Sequence, residues 1–505
     1  MKKTIILFMA ALAMSVANAQ DITDGLRYAS DFTNGTARFS AMSGAFGALG
    51  GDMSSIGINP AGSAVFLSNT ASATFSVYDR ENNAEYFGNS IKAIDTDVNL
   101  SQAGGVFVFN NSNEESPWKK FSIAINYENS QNHEDQVIIV GRGNTSISSF
   151  FLAQAQGIPL NWLNTNGSSI SNTYGFLGAT QGVDAQNAFL GYQGFIFDPI
   201  NPEDPNNTTY SSNVAPGFYN QEYYYFTEGY NGKYTFNFSA QYTDNFYFGI
   251  NLNSHTIDYL RSTTLYETNS NIGSTINEIK FRNNLGTRGA GFSAQVGVIA
   301  KLSNEFRVGL TIDTPTWYEI SEETTQYLET LRTENETTIR EIIDPAVLNV
   351  YDNYNLRTPG KYAASAAYIF GKKGLISFDY SYKNYDAIEF RPTSDLAFQT
   401  ENIIIENALK GASSYRLGGE YRINQLSLRG GYRYEESPYQ DKITVGDLSG
   451  FSLGLGYNFG NYNFDVAYSR LEQERRQQLY SVGLTDTGLV NTTFTNIVFT
   501  LGVNL

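Results

Sequence analysis

The chain has no cysteine in its 505 residues, only two histidines and three tryptophans, and, beyond its first twenty residues, no apolar run near eighteen. Each absence excludes something. Without cysteine there are no disulfides, no thiolate metal sites and no cysteine nucleophiles. With only His133 and His255, serine–histidine chemistry and a histidine-built metal centre have almost nothing to work with. The lack of long apolar runs, with a mean hydropathy of −0.30, excludes a helical membrane protein. Positive charge is also scarce: the net charge of −17 argues against a nucleic-acid partner. It suits acidic external loops, whether merely solvated or holding divalent cations beside lipopolysaccharide.

The first residues carry an address. Lys2 and Lys3 precede an apolar stretch, Ile5 to Val16, and Ala17-Asn18-Ala19 is a small-x-small cleavage site. Residues 1–19 therefore read as a secretory signal, too short to span a bilayer, with a mature start at Gln20. No cysteine follows the cleavage site, which excludes a lipoprotein anchor.

What the chain has in abundance is tyrosine and phenylalanine, 35 and 34 residues, set in alternating segments. In the last eleven residues, Ile497, Phe499, Leu501, Val503 and Leu505 alternate with mostly small or polar residues. A tilted membrane strand needs about 9–11 residues with one face to lipid and one to the lumen. The same pattern predicts fourteen strands: 70–78, 103–110, 120–128, 233–242, 246–256, 289–300, 304–313, 361–370, 374–383, 414–423, 425–434, 450–459, 462–470 and 494–505. Their connections alternate in length. Thr243-Asp244-Asn245, Gly371-Lys372-Lys373, Asn424 and Gly460-Asn461 are tight turns, whereas 129–232, 257–288, 314–360, 384–413, 435–449 and 471–493 are long. Short periplasmic turns opposite long external loops are the habit of outer-membrane barrels. The fold class is thus all-β, a transmembrane antiparallel β-barrel of about fourteen strands over residues 70–505, located in the outer membrane of a Gram-negative bacterium.

Residues 20–69 are rich in Gly and Ala, lack long alternation, and are too few for a core of their own. They are expected to fold as a plug inside the lumen, where the wall satisfies their backbone. The inward faces of the strands suggest chemistry. If Tyr415, Leu417 and Tyr421 face lipid, then Arg416, Glu420 and Arg422 face the lumen, as do Arg429 and Arg433 on the next strand and Arg307 and Asp313 on strand seven. Such an arginine cluster is either a carboxylate-binding site or an ion-pair ladder bracing plug and wall. The segment 320–343 reads as an amphipathic helix beside the membrane or as a solvated loop helix. Gly450-Phe451-Ser452-Leu453-Gly454 matches G-x-S-x-G by letter, but it sits in an alternating strand, not at a strand-to-helix turn. Gly44–Gly51 lacks phosphate-loop spacing, and Asp95–Asn99 lacks the glycine and twelfth-position acid of a calcium loop. No enzyme activity, metal or cofactor is expected.

The segment Gly35–Phe66 ends in Asn59-Pro60-Ala61-Gly62 just before the first strand. This stretch, with Thr314-Pro315-Thr316-Trp317-Tyr318, Arg357-Thr358-Pro359 and Phe378-Asp379-Tyr380, resembles the long-chain fatty acid transporter (FadL/TodX) family. The resemblance implies a monomeric fourteen-stranded barrel with an N-terminal hatch. Hydrophobic molecules would enter such a barrel from outside and leave sideways through a gap in the wall, without an energy source. Asn59, Pro60 and Ala61 would then gate the lumen, although Pro60 also simply fixes φ at that point. The expected partner is a fatty acid or similar lipophile, in contact with outer-membrane lipid and lipopolysaccharide. Phe46, Leu49, Ile56, Ile58 and Phe66 are candidate lining residues, or else core packing of the plug. The 129–232 connection departs from the family pattern and is expected to build the external entrance. Two other readings stay open: adhesion through the external loops, and a haemin receptor using the two histidines.

Overall fold

The computed structural model describes residues 21–30, 34–334 and 337–505, so the predicted signal segment and Gln20 lie outside the described residues. Fourteen strands form the wall: β1 Thr70–Tyr86, β2 Asn89–Asn110, β3 Trp118–Asn132, β4 Tyr219–Tyr242, β5 Phe246–Thr268, β6 Ile276–Lys301, β7 Phe306–Asp313, β8 Lys361–Ile369, β9 Gly374–Asn384, β10 Gly411–Ile423, β11 Leu426–Glu435, β12 Val445–Asn458, β13 Tyr462–Gln478 and β14 Thr487–Asn504. Each pairs antiparallel with the next. β14 closes the ring on β1, with Thr70 opposite Asn504 and Glu85 opposite Leu489.

Alternation sets the two faces. On β14, Ile497, Phe499 and Leu501 point outward, while Val498 and Thr500 are buried inside. Two exposed aromatic rows bound the apolar belt. The periplasmic row includes Trp118, Tyr242, Phe246 and Tyr457; the external row includes Tyr234, Phe292, Trp317, Tyr382, Tyr415 and Tyr432. Aromatic girdles of this kind sit at the two lipid–water boundaries.

All fourteen predicted strands are present, but several are far longer than their alternating cores. β4, β5 and β6 run 24, 23 and 26 residues, well past the external girdle. Beyond the bilayer both faces meet polar surroundings or the cap, so the apolar–polar contrast fades while the ladder continues. For the same reason the stretch 79–102 is not a connection. β1 and β2 form one long hairpin turned at Phe87 and Gly88, whose φ of 46° and 81° suit a tight reversal. Asp95–Asn99 lies within β2.

A second departure is the stretch expected as a helix at 320–343. It is a hairpin of strands Thr316–Glu334 and Thr337–Ile343 that extends the wall outward, pairing with β6 from Trp317 opposite Phe292. Its threonine-rich alternation favours strand over helix, and Leu328 is buried under the cap.

The long 129–232 connection is mostly ordered structure at the external end. It contains the strand Asp135–Gly143, and helices α3 Ser148–Ala155, α4 Leu160–Leu163, α5 Ile170–Gln181 and α6 Val183–Gln193. α1 Ile22–Ala29 and α2 Ala37–Ala41 precede them, and α7 Leu396–Ala408 lies between β9 and β10. Phe151, Phe189, Leu190 and Phe197 of this cap pack on Leu265, Phe281 and Leu328 of the extended wall in one apolar cluster. Burying that surface fixes the cap over the external mouth.

Candidate functional site

The site is built between the plug below and the cap above. Residues 34–66 fill the lower lumen, almost entirely buried, and the wall satisfies their backbone on every side. Thr500 on β14 accepts from Ala37 N–H, Ser452 on β12 bonds Ser43, and Asp379 on β9 accepts from both Phe46 and Gly47 N–H at 3.0 and 2.9 Å. Asn237 on β4 and Asn251 on β5 donate to the carbonyls of Pro60 and Ile56. Lys120 on β3 donates to Phe66, and Arg307 on β7 donates to Leu49. Wall glycines make this approach possible. A Cβ at Gly249, Gly297 or Gly309 would collide with Pro60, Asn59 or Gly47 respectively.

Asn59 is fully buried and pinned. Its side-chain nitrogen donates to the carbonyls of Gly47 and Val298, and its oxygen accepts from Ala61 N–H. Pro60 opens the short 3-10 helix Pro60–Val65, where its missing N–H costs nothing. The candidate lining residues are placed in packing clusters. Phe46, Leu49 and Ile58 meet Phe39, Met42, Ala367 and Leu375; Ile56 and Phe66 meet Met53, Val106 and Ala124. None of the five lines the cavity described next.

Above the plug lies a cavity of about 870 Å³. Its floor and one side are α1, whose Ile22, Leu26 and Arg27 face it; its walls carry Tyr223, Tyr225, Tyr259, Tyr439 and Tyr480. Arg27 stacks over the Tyr259 ring at 4.2 Å and pairs with Asp24, which also lies 4.0 Å from Arg261. The same sharing recurs twice. Asp135 sits between Arg80 and Arg475 at 3.2 and 2.8 Å, and Glu435 between Arg416 and Arg433 at 3.4 and 2.6 Å. Each of these carboxylates is shared by two guanidiniums; Asp21 and Glu401 also stand near the Asp24 pair, so the excess of positive charge lies at the Asp135 and Glu435 stations. Six arginines line the cavity against four carboxylates, inside a protein of net charge −17.

Of the five candidate arginines, Arg433 alone faces this cavity. Arg429 is clamped by Glu420 and Asp465 at 2.7 and 2.5 Å, and Arg422 reaches Glu420 at 2.6 Å. Glu420 also holds Arg38 of the plug at 2.9 Å. Arg307 sits at the periplasmic end with no carboxylate partner among the described residues. The two histidines are engaged as well: His133 Nε2 bonds Asn231, and His255 Nε2 bonds Ser293. His133 lies in the link beyond β3, wedged against Tyr28 and Tyr259, and burial pushes its imidazole down to about 3. It is neutral, its Nε2 is engaged by Asn231, and it stands at the edge of the cavity.

The sequence pattern missed α1 and the tyrosine wall. A signal for the latter existed: Tyr219, Gln221, Tyr223 and Tyr225 alternate upstream of the predicted start of β4 and are its inward face.

The wall itself is incomplete at one place. Pairing between β2 and β3 ends at Gln102 opposite Glu128, yet β2 continues to Asn89 paired only with β1. Above that point β3 follows β4 alone, through a bulge at Asn129–Gln131. Asn132 crosses the break, donating to Asp97 at 2.8 Å while its carbonyl accepts from Arg80.

A profile of the family described as "Outer membrane protein transport protein (OMPP1/FadL/TodX)" matches residues 230–504, more than half of the chain. The chain belongs to this family. Members are outer-membrane β-barrels that transport hydrophobic compounds, and this FadL/TodX-family barrel shares that location and general role. Its fold is similar to the crystal structure of a Pseudomonas aeruginosa FadL homologue, with 13% identity, a TM-score of 0.52, and 94% of this chain and 99% of that one covered. It is also similar to the Pseudomonas putida toluene transporter TodX, with 13% identity, a TM-score of 0.50, and 94% and 100% coverage. Among curated proteins, none matches the sequence.

Proposed function

We propose that the protein takes up small amphipathic lipophiles, with carboxylates such as long-chain fatty acids foremost, by binding them in the cavity above the plug and releasing them sideways between β2 and β3. The observation that carries this reading is the contrast between floor and wall. Below the cavity every side of the plug is bonded to the barrel, whereas the wall beside it has a stretch where β2 has no partner on the β3 side. A ligand in the cavity therefore breaks fewer hydrogen bonds by leaving through the wall than by leaving through the floor. The outer face of that stretch carries exposed Val98 and Leu100, so the exit opens at the external edge of the membrane, where an acyl chain can pass into lipid.

The cavity volume falls within the ~300–1,000 Å³ usual for small-molecule sites. Tyrosine faces supply apolar contact with a polar edge. Arg433, Arg80 and Arg475, each sharing its carboxylate with another arginine, supply charge-assisted donors for a carboxylate head. The bracing arginines Arg416, Arg422 and Arg429 serve the plug and wall, and Arg307 holds the plug from below. Asn59-Pro60-Ala61 acts as the pin that keeps the floor closed.

Mass spectrometry of organic extracts from protein purified in mild detergent, beside a mock preparation, tests the ligand class. Enrichment of a lipid carboxylate is the expected result; enrichment of a neutral hydrocarbon or of haem overturns the carboxylate assignment.

A further inference from the structure

Asp135 stands where the two sides of the incomplete wall are fastened together. It opens the strand Asp135–Gly143, which pairs with β4, Asp135 opposite Thr227 and Gly143 opposite Tyr219, and so belongs to the β3–β4 side of the break. The residue is buried, yet its side-chain partners come from the other side. Asn82 on β1 donates to one carboxylate oxygen at 2.6 Å. Arg80 on β1 and Arg475 on β13 share the other, at 3.2 and 2.8 Å. Arg80 extends the fastening: it donates to the carbonyl of Asn132 at 3.3 Å, and the Asn132 side chain donates in turn to Asp97 on the free stretch of β2. Carboxylate, guanidinium and amide thus form one chain from the cavity to the break.

This fastening has the chemistry of a head-group site that is already filled. Arg80, Asp135 and Arg475 all line the cavity. The Arg80 guanidinium rests near the rings of Phe494 and Tyr78, at 5.2 and 5.6 Å. Its Nε is buried with no hydrogen-bond partner among the described residues, so it holds a donor that neither Asp135 nor Asn132 uses. Two guanidiniums around one carboxylate are an arrangement that binds a fatty-acid head, and here the protein supplies the carboxylate itself. An entering carboxylate competes with Asp135 as its chemical equal. An alcohol or a hydrocarbon does not, because drawing Asp135 off its arginines without a replacement leaves buried charges unpaired.

We propose that Asp135 is a built-in stand-in for the head group of the transported compound, and that its exchange for a ligand carboxylate at Arg80 and Arg475 unfastens the wall. This rests on the transport reading above and adds a selection step at the exit. An anionic lipophile opens the wall for itself, whereas a neutral one waits for spontaneous opening. The exchange draws Arg80 off the Asn132 carbonyl, the longest of the contacts involved, and leaves Asn132 held to β2 through Asp97 and no longer to β1. Asn82 donates both to Asp135 and to the carbonyl of Gln136, so the displaced carboxylate keeps a partner and the fastening re-forms when the ligand has gone.

The test uses two probes of matched chain, oleate and oleyl alcohol. Spin labels are attached at Val98→Cys, in the free stretch of β2, and at Tyr230→Cys, on β4 opposite Asn132; both positions are exposed, and the chain has no cysteine of its own. Binding of each probe and the distance between labels are measured on the same protein. Saturating oleate is expected to lengthen that distance, and saturating oleyl alcohol to leave it unchanged. Equal lengthening by both probes, or bound oleate with no lengthening, overturns the proposal. That comparison leaves the fastening intact; Asp135→Asn alters it directly. Without the stand-in carboxylate the labels are expected to lie further apart before any ligand is added, and oleate to bind about fivefold more tightly because its competitor is gone. Weaker oleate binding by Asp135→Asn would make Asp135 a bracing residue only and also overturns the proposal. If the native protein binds no oleate, the transport reading itself falls and takes this inference with it, an outcome distinct from binding without opening.

Discussion

The side-chain nitrogen of Asn59 lies 3.1 Å from the carbonyl oxygen of Val298, joining the plug to β6 at a point where Gly297 leaves room for it. The same nitrogen holds Gly47 O at 2.8 Å, so one amide ties two turns of the plug to each other and to the wall. Asn59→Ala removes the donor and leaves two buried carbonyls short of a partner, a loss of roughly 1–3 kcal/mol. The barrel is expected to stay folded while the plug loosens. Protease sensitivity within residues 34–66 and brief conductance bursts in planar bilayers are the readouts. Asn59→Asp, which keeps shape but cannot donate, is expected to behave like Asn59→Ala.

Wall glycines make a sharper prediction. Gly309→Val places a side chain where the Gly47 carbonyl lies, and backbone cannot yield as a flexible side chain can. The plug is expected to be displaced and a steady conductance to appear. Gly430→Val is the control, because a Cβ there meets nothing nearer than 3.7 Å. A closed, silent Gly309→Val barrel contradicts the close-packed plug.

Two arginines separate bracing from binding. Arg429→Gln leaves Glu420 and Asp465 buried with fewer partners, a loss of about 3–5 kcal/mol for a broken buried pair. It is expected to lower the unfolding temperature and to impair oleate and toluene uptake alike. Arg433→Gln, at the cavity wall, also breaks the buried pair with Glu435 and is expected to lower the unfolding temperature, but to weaken oleate binding about tenfold or more beyond any effect on toluene, as loss of a charge-assisted bond would. Equal effects on both probes contradict a carboxylate role for Arg433.

Glu401 on α7 gives a pH dependence. Burial, reinforced by the carboxylates of Asp21 and Asp24, pushes its carboxyl up to about 7. The folded state therefore holds a proton between the ordinary glutamate range and neutrality that the detached helix releases. Its contribution to docking α7 is full below about 4.5 and is lost as pH rises through about 7. Protection factors in α7, taken relative to the intrinsic exchange rate at each pH, are expected to be higher at pH 5 than at pH 8, and Glu401→Gln should remove that difference. Lower protection at the lower pH contradicts the assignment.

How much of this was legible beforehand depended on whether one physical contrast was present. Where lipid lies on one side and the lumen on the other, period 2 is enforced, and Phe121, Ile123 and Ile125 or Phe451, Leu453 and Leu455 announce their strands. Turn residues did the same: Thr243 and Asn424 take positive φ where tight reversals were expected. Where both faces leave the bilayer the contrast vanishes, so the upper half of β1–β2 read as loop and the segment 320–343 as helix. The arginines were rightly placed inward on β10 and β11, but parity gives the face and not the partner. Glu420 was visible as inward; that it gathers Arg38, Arg422 and Arg429 required the plug and the neighbouring strands to be set in place. Asn59 was singled out by the resemblance of Asn59-Pro60-Ala61 to the family pattern; its partners Gly47 and Val298 were not visible in the sequence. α1 was not, since its hold on the cavity comes from contacts with residues more than one hundred positions away.

The central claim is that ligand leaves through the wall between β2 and β3 and not through the plug. The absence of cysteine permits a clean test: Asp97→Cys with Asn132→Cys, joined across the break by a short bifunctional thiol reagent. Crosslinking is expected to stop oleate transfer to lipid while leaving oleate bound in the cavity, and a reducible crosslinker should restore transfer on cleavage. Transfer that continues undiminished through the crosslinked wall would contradict lateral release and return the exit to the plug.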